Sequence, residues 1–258
     1  MISLSEIRRF YPDFLHDRSD FLLREYLQHK ILELLFESHF ATKFAFLGGT
    51  CLRIIHDNQR FSEDLDFDNF DLAASEFEAV SELLKLGLER QGYTVEIRNV
   101  MRSAFHCYIR FPGLLYEAGL SGHREAKILI NLDTEPQHFS FEPQRVFLNK
   151  FDVFTTVPCT PLDLLLSQKI VAMTERRQPK GRDFFDTVFL CSRTQPNYAF
   201  LKNRLGVSTP EALRDHLEGI CRKNDFEELA ADVQPFLFNS ADVKRVLLFP
   251  EFIKTARF

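Results

Sequence analysis

The chain has 258 residues, 45% of them hydrophobic and 27% charged, with a formal net charge of −5, which is enough to bury a substantial core as one large domain or two small ones. That balance belongs to an ordinary globular protein and argues against broad coating of nucleic acid, though it allows a local basic groove. No apolar run is long enough to cross a bilayer and the N-terminus lacks a basic-then-apolar leader pattern, so a cytoplasmic protein with no membrane association is expected.

Ser3 and Glu6 have the spacing of a capping box, which predicts a short first helix. Phe21, Leu22, Tyr26, Ile31, Leu34 and Leu35 predict an amphipathic helix over 18–37. Residues 44–47 read as a short buried strand, 50–56 as a helix and 65–70 as a second strand. Asp71 is the predicted cap of a helix that runs to about residue 90 and ends at Gly92. Strands follow over 93–100, 105–111, 127–133 and 152–157. In one of them Phe105, Cys107, Ile109 and Phe111 alternate with polar residues, as in a half-exposed antiparallel strand. From Thr160, an N-cap candidate followed by Pro161, the chain reads as helices, with further ones over 182–192, 210–222, 226–232 and 241–254. The expected fold class is α/β (α+β). A mixed α/β domain with N-terminal helices takes residues 1–158 and a helical domain takes 159–258.

The five cysteines, Cys51, Cys107, Cys159, Cys191 and Cys221, are widely spaced and form no C-x-x-C. An odd, scattered set points to a reducing compartment rather than to a disulfide or zinc framework. The 28 Phe fall across all segments and read as core filling.

Two short blocks carry chemistry. In the first, the apolar run Phe44-Ala45-Phe46-Leu47 breaks at Gly48-Gly49-Thr50, and Ser62-Glu63-Asp64-Leu65-Asp66-Phe67 follows. Period-2 spacing puts Asp64 and Asp66 on one face of an extended segment, with Leu65 and Phe67 turned into a core. Paired carboxylates repel each other unless a cation sits between them, and Mg²⁺ takes such oxygens while also binding substrate phosphates. Gly48, Gly49 and Thr50, at the start of a helix, would let backbone approach a polyphosphate. Each piece alone has a bland reading, a tight turn and a solvated acidic edge: with 37 Asp and Glu, chance supplies several such triplets. The apolar residues between the acids favour chemistry. Arg60 and Ser62 share the face of the acids; Arg60 would neutralise either phosphate or nearby carboxylates.

The second block is Lys169-x₆-Arg176-Arg177-Gln178-Pro179-Lys180-Gly181-Arg182-Asp183-Phe184-Phe185-Asp186. Lys169 and Arg176 share a helix face, Pro179-Lys180-Gly181 breaks the helix, and Asp183 and Asp186 share a face of the next one. Such cations suit a triphosphate, and a carboxylate can anchor one of them; the bland reading is a helix hairpin closed by ion pairs such as Lys169 with Asp186.

Together, Gly-Gly-Thr-x-Leu-Arg, Arg-x-Ser-x-Asp-x-Asp-Phe and Lys … Arg-x-x-Lys-x-Arg-Asp-x-x-Asp resemble the signature of the AbiEii/AbiGii toxin family of the nucleotidyltransferase superfamily. The resemblance spans about residues 40 to 190. It implies a palm-like mixed sheet and Mg²⁺ on Asp64 and Asp66. The catalytic residues would be Asp64, Asp66, Lys169 and Asp186, and an NTP would be bound through Gly48, Gly49, Thr50, Ser62 and Arg176, with Asp183 less central. It further implies an RNA or tRNA acceptor and a cognate antitoxin. The family's third carboxylate aligns with Asn131 of Lys127-Ile128-Leu129-Ile130-Asn131-Leu132-Asp133, or with Asp133 on the same strand face if the register differs; Asn131 is expected nearer the acidic pair and Asp133 at the rim. Among weaker candidates, His56 would touch a base or phosphate or lie at the surface, and His123-Arg124 and His138 fall in loops. Two rival functions remain: transfer to a small hydroxylated molecule such as an aminoglycoside, or nucleotide or partner binding without turnover, for which Asn131 speaks.

Overall fold

The computed structural model describes residues 2–258. They form two compact units: the first runs to Cys51 and resumes over Phe61–Cys159, and the second joins Leu52–Arg60 to Thr160–Phe258. The linear reading divides the chain near Pro158 and holds no such excursion.

In the first unit, α1 (Leu4–Arg8) carries the Ser3–Glu6 capping box and leads to α2 (Ser19–Phe36). Then come β1 (Phe44–Leu47), α3 (Gly48–Ile54, its residues from Leu52 belonging to the second unit), β2 (Leu65–Asn69), α4 (Ala74–Arg90), β3 (Glu96–Met101) and β4 (Phe105–Pro112). A short α5 (Leu114–Glu117) precedes β5 (Lys127–Thr134), β6 (Gln144–Lys150) and β7 (Val153–Cys159). The seven strands make one mixed sheet in the order β3-β4-β5-β2-β1-β7-β6, the mixed α/β fold that the alternation predicts.

One face of this sheet is the core. Phe67 meets Phe44, Phe46 and the α2 residue Phe36 at ring distances of 5.6, 5.4 and 6.0 Å. On α4, Phe77 packs on Phe105 at 5.3 Å. Each such buried ring is worth roughly 1.5–3 kcal/mol, so strand register is set strongly: a one-residue slip would turn Phe67 out and an aspartate in.

Local differences from the sequence reading have local causes. Asp71 is not a cap but takes the left-handed turn at φ 51°; α4 is capped at Ala73, whose N–H is accepted by Glu76 at 2.8 Å. The unpredicted β6 is an edge strand, where Leu148 is fully buried and Phe147 is 70% exposed, so its alternation is weak.

The second unit is helical: α6 (Leu162–Glu175), α7 (Gly181–Cys191), α8 (Tyr198–Leu205), α9 (Pro210–Cys221) and α10 (Phe226–Val233). The single helix expected over 241–254 is broken into α11 (Lys244–Leu247) and α12 (Phe249–Thr255), because Pro250 has no N–H for a continuing turn. Phe184 meets Phe226 and Phe249 edge-on at 5.3 and 5.0 Å. At Gly181 a Cβ would overlap the Leu229 carbonyl, so only glycine lets α7 approach α10 this closely. Residues 52–60 join this unit through Phe238, whose N–H donates to the Gln59 carbonyl at 3.2 Å, and through a bridge between Arg60 and Leu237.

Candidate active site

Strand pairing builds the first site. Antiparallel pairing sets Leu47 opposite Asp66, and parallel pairing sets Asp66 opposite Asp133 and Leu65 opposite Leu132. Leu65 and Phe67 are buried while Asp64 and Asp66 are partly exposed. Asp66 and Asp133 therefore stand side by side on the face opposite the core. The expectation that Asp133 lies at the rim is overturned by this register. Asn131 is two residues back, level with Asp64 just before β2 begins. Across the next strand His106 pairs with Asp133, and its Nδ1 donates to Asp133 Oδ1 at 2.9 Å.

The Gly-Gly turn shapes this face. Gly48 has φ +78°, and a Cβ on it would overlap the Asp66 carboxylate, with Asp66 Cβ and Cγ only 2.9 Å away. The glycine thus makes room for Asp66, a role that a reading of backbone approach to phosphate does not contain. Thr50 is fully buried and its hydroxyl donates to the Asp64 carbonyl, so its side chain positions the acidic segment. Gln28 holds the same segment from α2, donating to the Ser62 and Glu63 carbonyls at 3.0 and 2.9 Å. Ser62 itself is partly exposed beside them.

The face has two further unusual groups. Asp68, in line with Asp66 on β2, is 2% exposed; burial pushes its carboxyl up to about 6 despite hydrogen bonds that include the Gln137 N–H. Asn131 Oδ1 is buried and has no hydrogen-bond partner among the described residues. Among those residues no three His, Cys, Asp or Glu groups converge as a metal centre.

The second block folds into an ion network within the helical unit. Asp186 is fully buried and accepts from Asn58 Nδ2 at 2.9 Å, Arg60 Nε at 2.7 Å and Nη2 at 2.6 Å, and Lys169 Nζ at 2.8 Å. Burial alone would raise its pKa, but Arg60 and Lys169 outweigh it and hold the carboxyl near 2. Lys169 also reaches Asp183 at 3.0 Å, and Arg176, 45% exposed, pairs with Asp183 from the other side. Arg60, by contrast, is 0% exposed and holds Asp186. Of the minor histidines, His56 is half-buried, with its pKa lowered by burial and by Arg193. His123, Arg124 and His138 are exposed.

A family profile described as nucleotidyl transferase AbiEii toxin, type IV toxin–antitoxin system, matches residues 30–246. The chain belongs to that family. Membership makes this AbiEii chain a nucleotidyltransferase, with an NTP as substrate and an antitoxin counterpart. No curated protein matches the chain. Among solved structures it resembles JHP933 from Helicobacter pylori, at 17% identity and TM-score 0.55 over 91% of this chain and 90% of that one. It also resembles MenT4, a nucleotidyltransferase toxin from Mycobacterium tuberculosis H37Rv, at 15% identity and TM-score 0.56 over 100% and 91%. At such identities the likeness is one of fold. No helix of the AbiEii chain is long and apolar enough to cross a membrane, among the described residues.

Sequence reasoning missed three contributors to these sites: Gln28, Asn58 and His106. Gln28 and Asn58 act through contacts 34 and 128 residues away, which no local pattern marks. His106 is visible only as a polar position in the alternation of β4.

Proposed function

We propose that the chain is a Mg²⁺-dependent toxin that transfers a nucleotide from an NTP to a hydroxyl of RNA, tRNA included, in the cytoplasm of a cell that also makes its antitoxin protein. The observation that carries this reading is the acidic row on the polar sheet face, with Gly48 leaving space for Asp66. Hard oxygens with a neighbouring orphaned amide oxygen suit Mg²⁺, which one or two carboxylates plus substrate phosphates can hold. Asp64 and Asp66 would be those ligands, and the bound ion would supply charge neutralisation on the triphosphate.

The remaining residues bind and orient. Backbone at Gly48 and Gly49 is assigned to the β- and γ-phosphates beside Ser62, with Thr50 fixing the turn. The helical network carries three cations, Arg60, Lys169 and Arg176, against Asp183 and Asp186, a surplus of one positive charge that suits phosphate. Asp186 orients Lys169. An RNA acceptor is favoured over a cationic small molecule by the rest of the polar face. Tyr108 is level with Asn131 and Arg98, and Arg110 is one step further with its guanidinium 5.8 Å from the Tyr108 ring. Such cation and aromatic pairs suit unstacked bases and phosphates.

The test is to incubate the purified chain with each labelled NTP, Mg²⁺ and total RNA. Label is expected in RNA with the native chain. It should be lost in Asp64→Asn and in Asp66→Asn without a fall in Tm, because removing one of two like charges relieves repulsion. Label in a small molecule, label nowhere, or full activity in either variant would overturn the reading.

A further inference from the structure

The open face of the sheet carries a second concentration of unusual side chains, away from the acidic pair. Phe46, Phe67 and Cys159 share a level across β1, β2 and β7 and turn to the core, so Ala45, Asp68 and Pro158, each one step away, lie on the other face. By period 2 that face of β7 continues through Thr156 to Phe154, and antiparallel pairing sets Phe147 of β6 opposite Thr156 and Arg145 opposite Pro158. Phe147 and Phe154 are 70% and 64% exposed, with their rings stacked at 5.7 Å and 10°. Two flat rings left open to water have no part in the core. They form one wall of a cavity of about 650 Å³, a size that holds a small planar ligand. Residues 135–143 cross this face on the way to β6, anchored where the Gln137 N–H donates to Asp68 at 2.9 Å. Phe141, at the end of that crossing, closes the cavity against Phe70, edge-on at 5.7 Å.

We propose that this cavity holds an unpaired base of the acceptor RNA, stacked on Phe147 and Phe154; this rests on the transferase reading above. Exposed aromatic side chains on a sheet grip single-stranded RNA because every base has a π-face to lay on them. Arg145, two residues from Phe147 on the same face, is exposed and enters no ion pair among the described residues, so its guanidinium is open to a phosphate. Glu142, the one acid that lines the cavity among the described residues, and the Thr156 hydroxyl offer acceptors to the exocyclic amine of a base. An apolar peptide would have to desolvate both charges without a partner for either. Phe147 lies three strand steps from β2, about 14 Å across, and four residues beyond the level of Asp66, about 13 Å along. The base held here therefore belongs to a nucleotide at a distance from the reacting one, and the site acts on RNA affinity and not on the chemical step.

The chain has no Trp, so Phe147→Trp puts a single indole fluorophore on this wall while keeping a flat ring. The experiment titrates that variant, without turnover, with a short single-stranded RNA of mixed sequence, with the same sequence as a duplex and with an NTP alone. Expected is quenching by the single strand, little by the duplex, whose bases are already paired and stacked, and none by the NTP. In parallel, KM for RNA is measured by transfer of label in the native chain and in the Phe147→Ala, Phe154→Ala double variant. The double variant should raise KM for RNA about 10-fold or more with KM for the NTP little changed, and its Tm should hardly move because both rings are exposed. Arg145→Gln should flatten the salt dependence of single-strand affinity by about 0.7 in the log–log slope. No quenching, equal quenching by the duplex, or an unchanged KM for RNA in the double variant would overturn the proposal and leave the transferase reading intact. A native chain that is dimeric by light scattering and becomes monomeric in the double variant, with RNA affinity unchanged, would overturn it too and assign the rings to a second copy. Quenching by the single strand alongside a native chain that transfers no label would overturn the transferase reading and leave an RNA-binding site.

Discussion

At the scale of single residues, the acidic face is held in place by groups with no chemistry of their own. Gly48→Ala should be far more harmful than its size suggests, since it adds strain at φ +78° and a collision with the Asp66 carboxylate. The expected outcome is loss of transfer together with a Tm lowered by several degrees, read by activity and thermal melts. Asp68 gives a pH signature of opposite kind. Its carboxyl is raised from 3.8 to about 6, so the fold holds that proton more tightly than the unfolded chain does. The stabilisation is full below pH 3.8 and is lost as pH rises through 6, a swing on the order of 3 kcal/mol. Asp68→Asn keeps an acceptor for the Gln137 N–H and should raise Tm at pH 7.5, with the gain fading toward pH 4; an equal gain at both would contradict the burial account. The paired acids and glycines were legible as letters in a row, whereas the neighbours of Asp68 and the collision at Gly48 depend on strand partners.

Between elements, α6, α7 and the 52–60 segment share one ion network, and its members are not equivalent. Arg60 makes two hydrogen bonds to a fully buried Asp186, so Arg60→Ala leaves that buried carboxylate to Lys169 and Asn58 and should cost about 3 kcal/mol. The Arg60→Ala, Asp186→Ala double variant should recover part of that loss in a denaturant-melt cycle. Lys169→Ala leaves Asp183 with Arg176 and Asp186 with Arg60, so its cost in stability should be smaller, about 1–2 kcal/mol. Its effect on NTP affinity should be the larger one. Unchanged NTP affinity with a melt as low as that of Arg60→Ala would assign Lys169 to the hairpin alone. Asp186, held near 2, keeps its contribution above pH 3.8 and loses it only as pH falls toward 2.

For the whole molecule, the decisive feature is that the helical unit takes nine of its residues from the N-terminal half of the chain. A fragment of residues 159–258, cut where the composition changes, lacks Asn58 and Arg60 and would bury Asp186 against Lys169 without them. Such a fragment is expected to lack a cooperative thermal transition, measured by circular dichroism. A sharp native-like transition would mean that the network is dispensable. The sequence by itself determined the mixed α/β class, most helices and strands and the family, because periodicity and motif spacing are local properties. Only the tertiary structure decided that Asp133 rather than Asn131 stands beside Asp66, that His106 joins them and that Arg60 pairs with Asp186. Strand register and contacts across more than a hundred residues come from the packing of Phe67 and its neighbours and from the burial of charge, which no local pattern records.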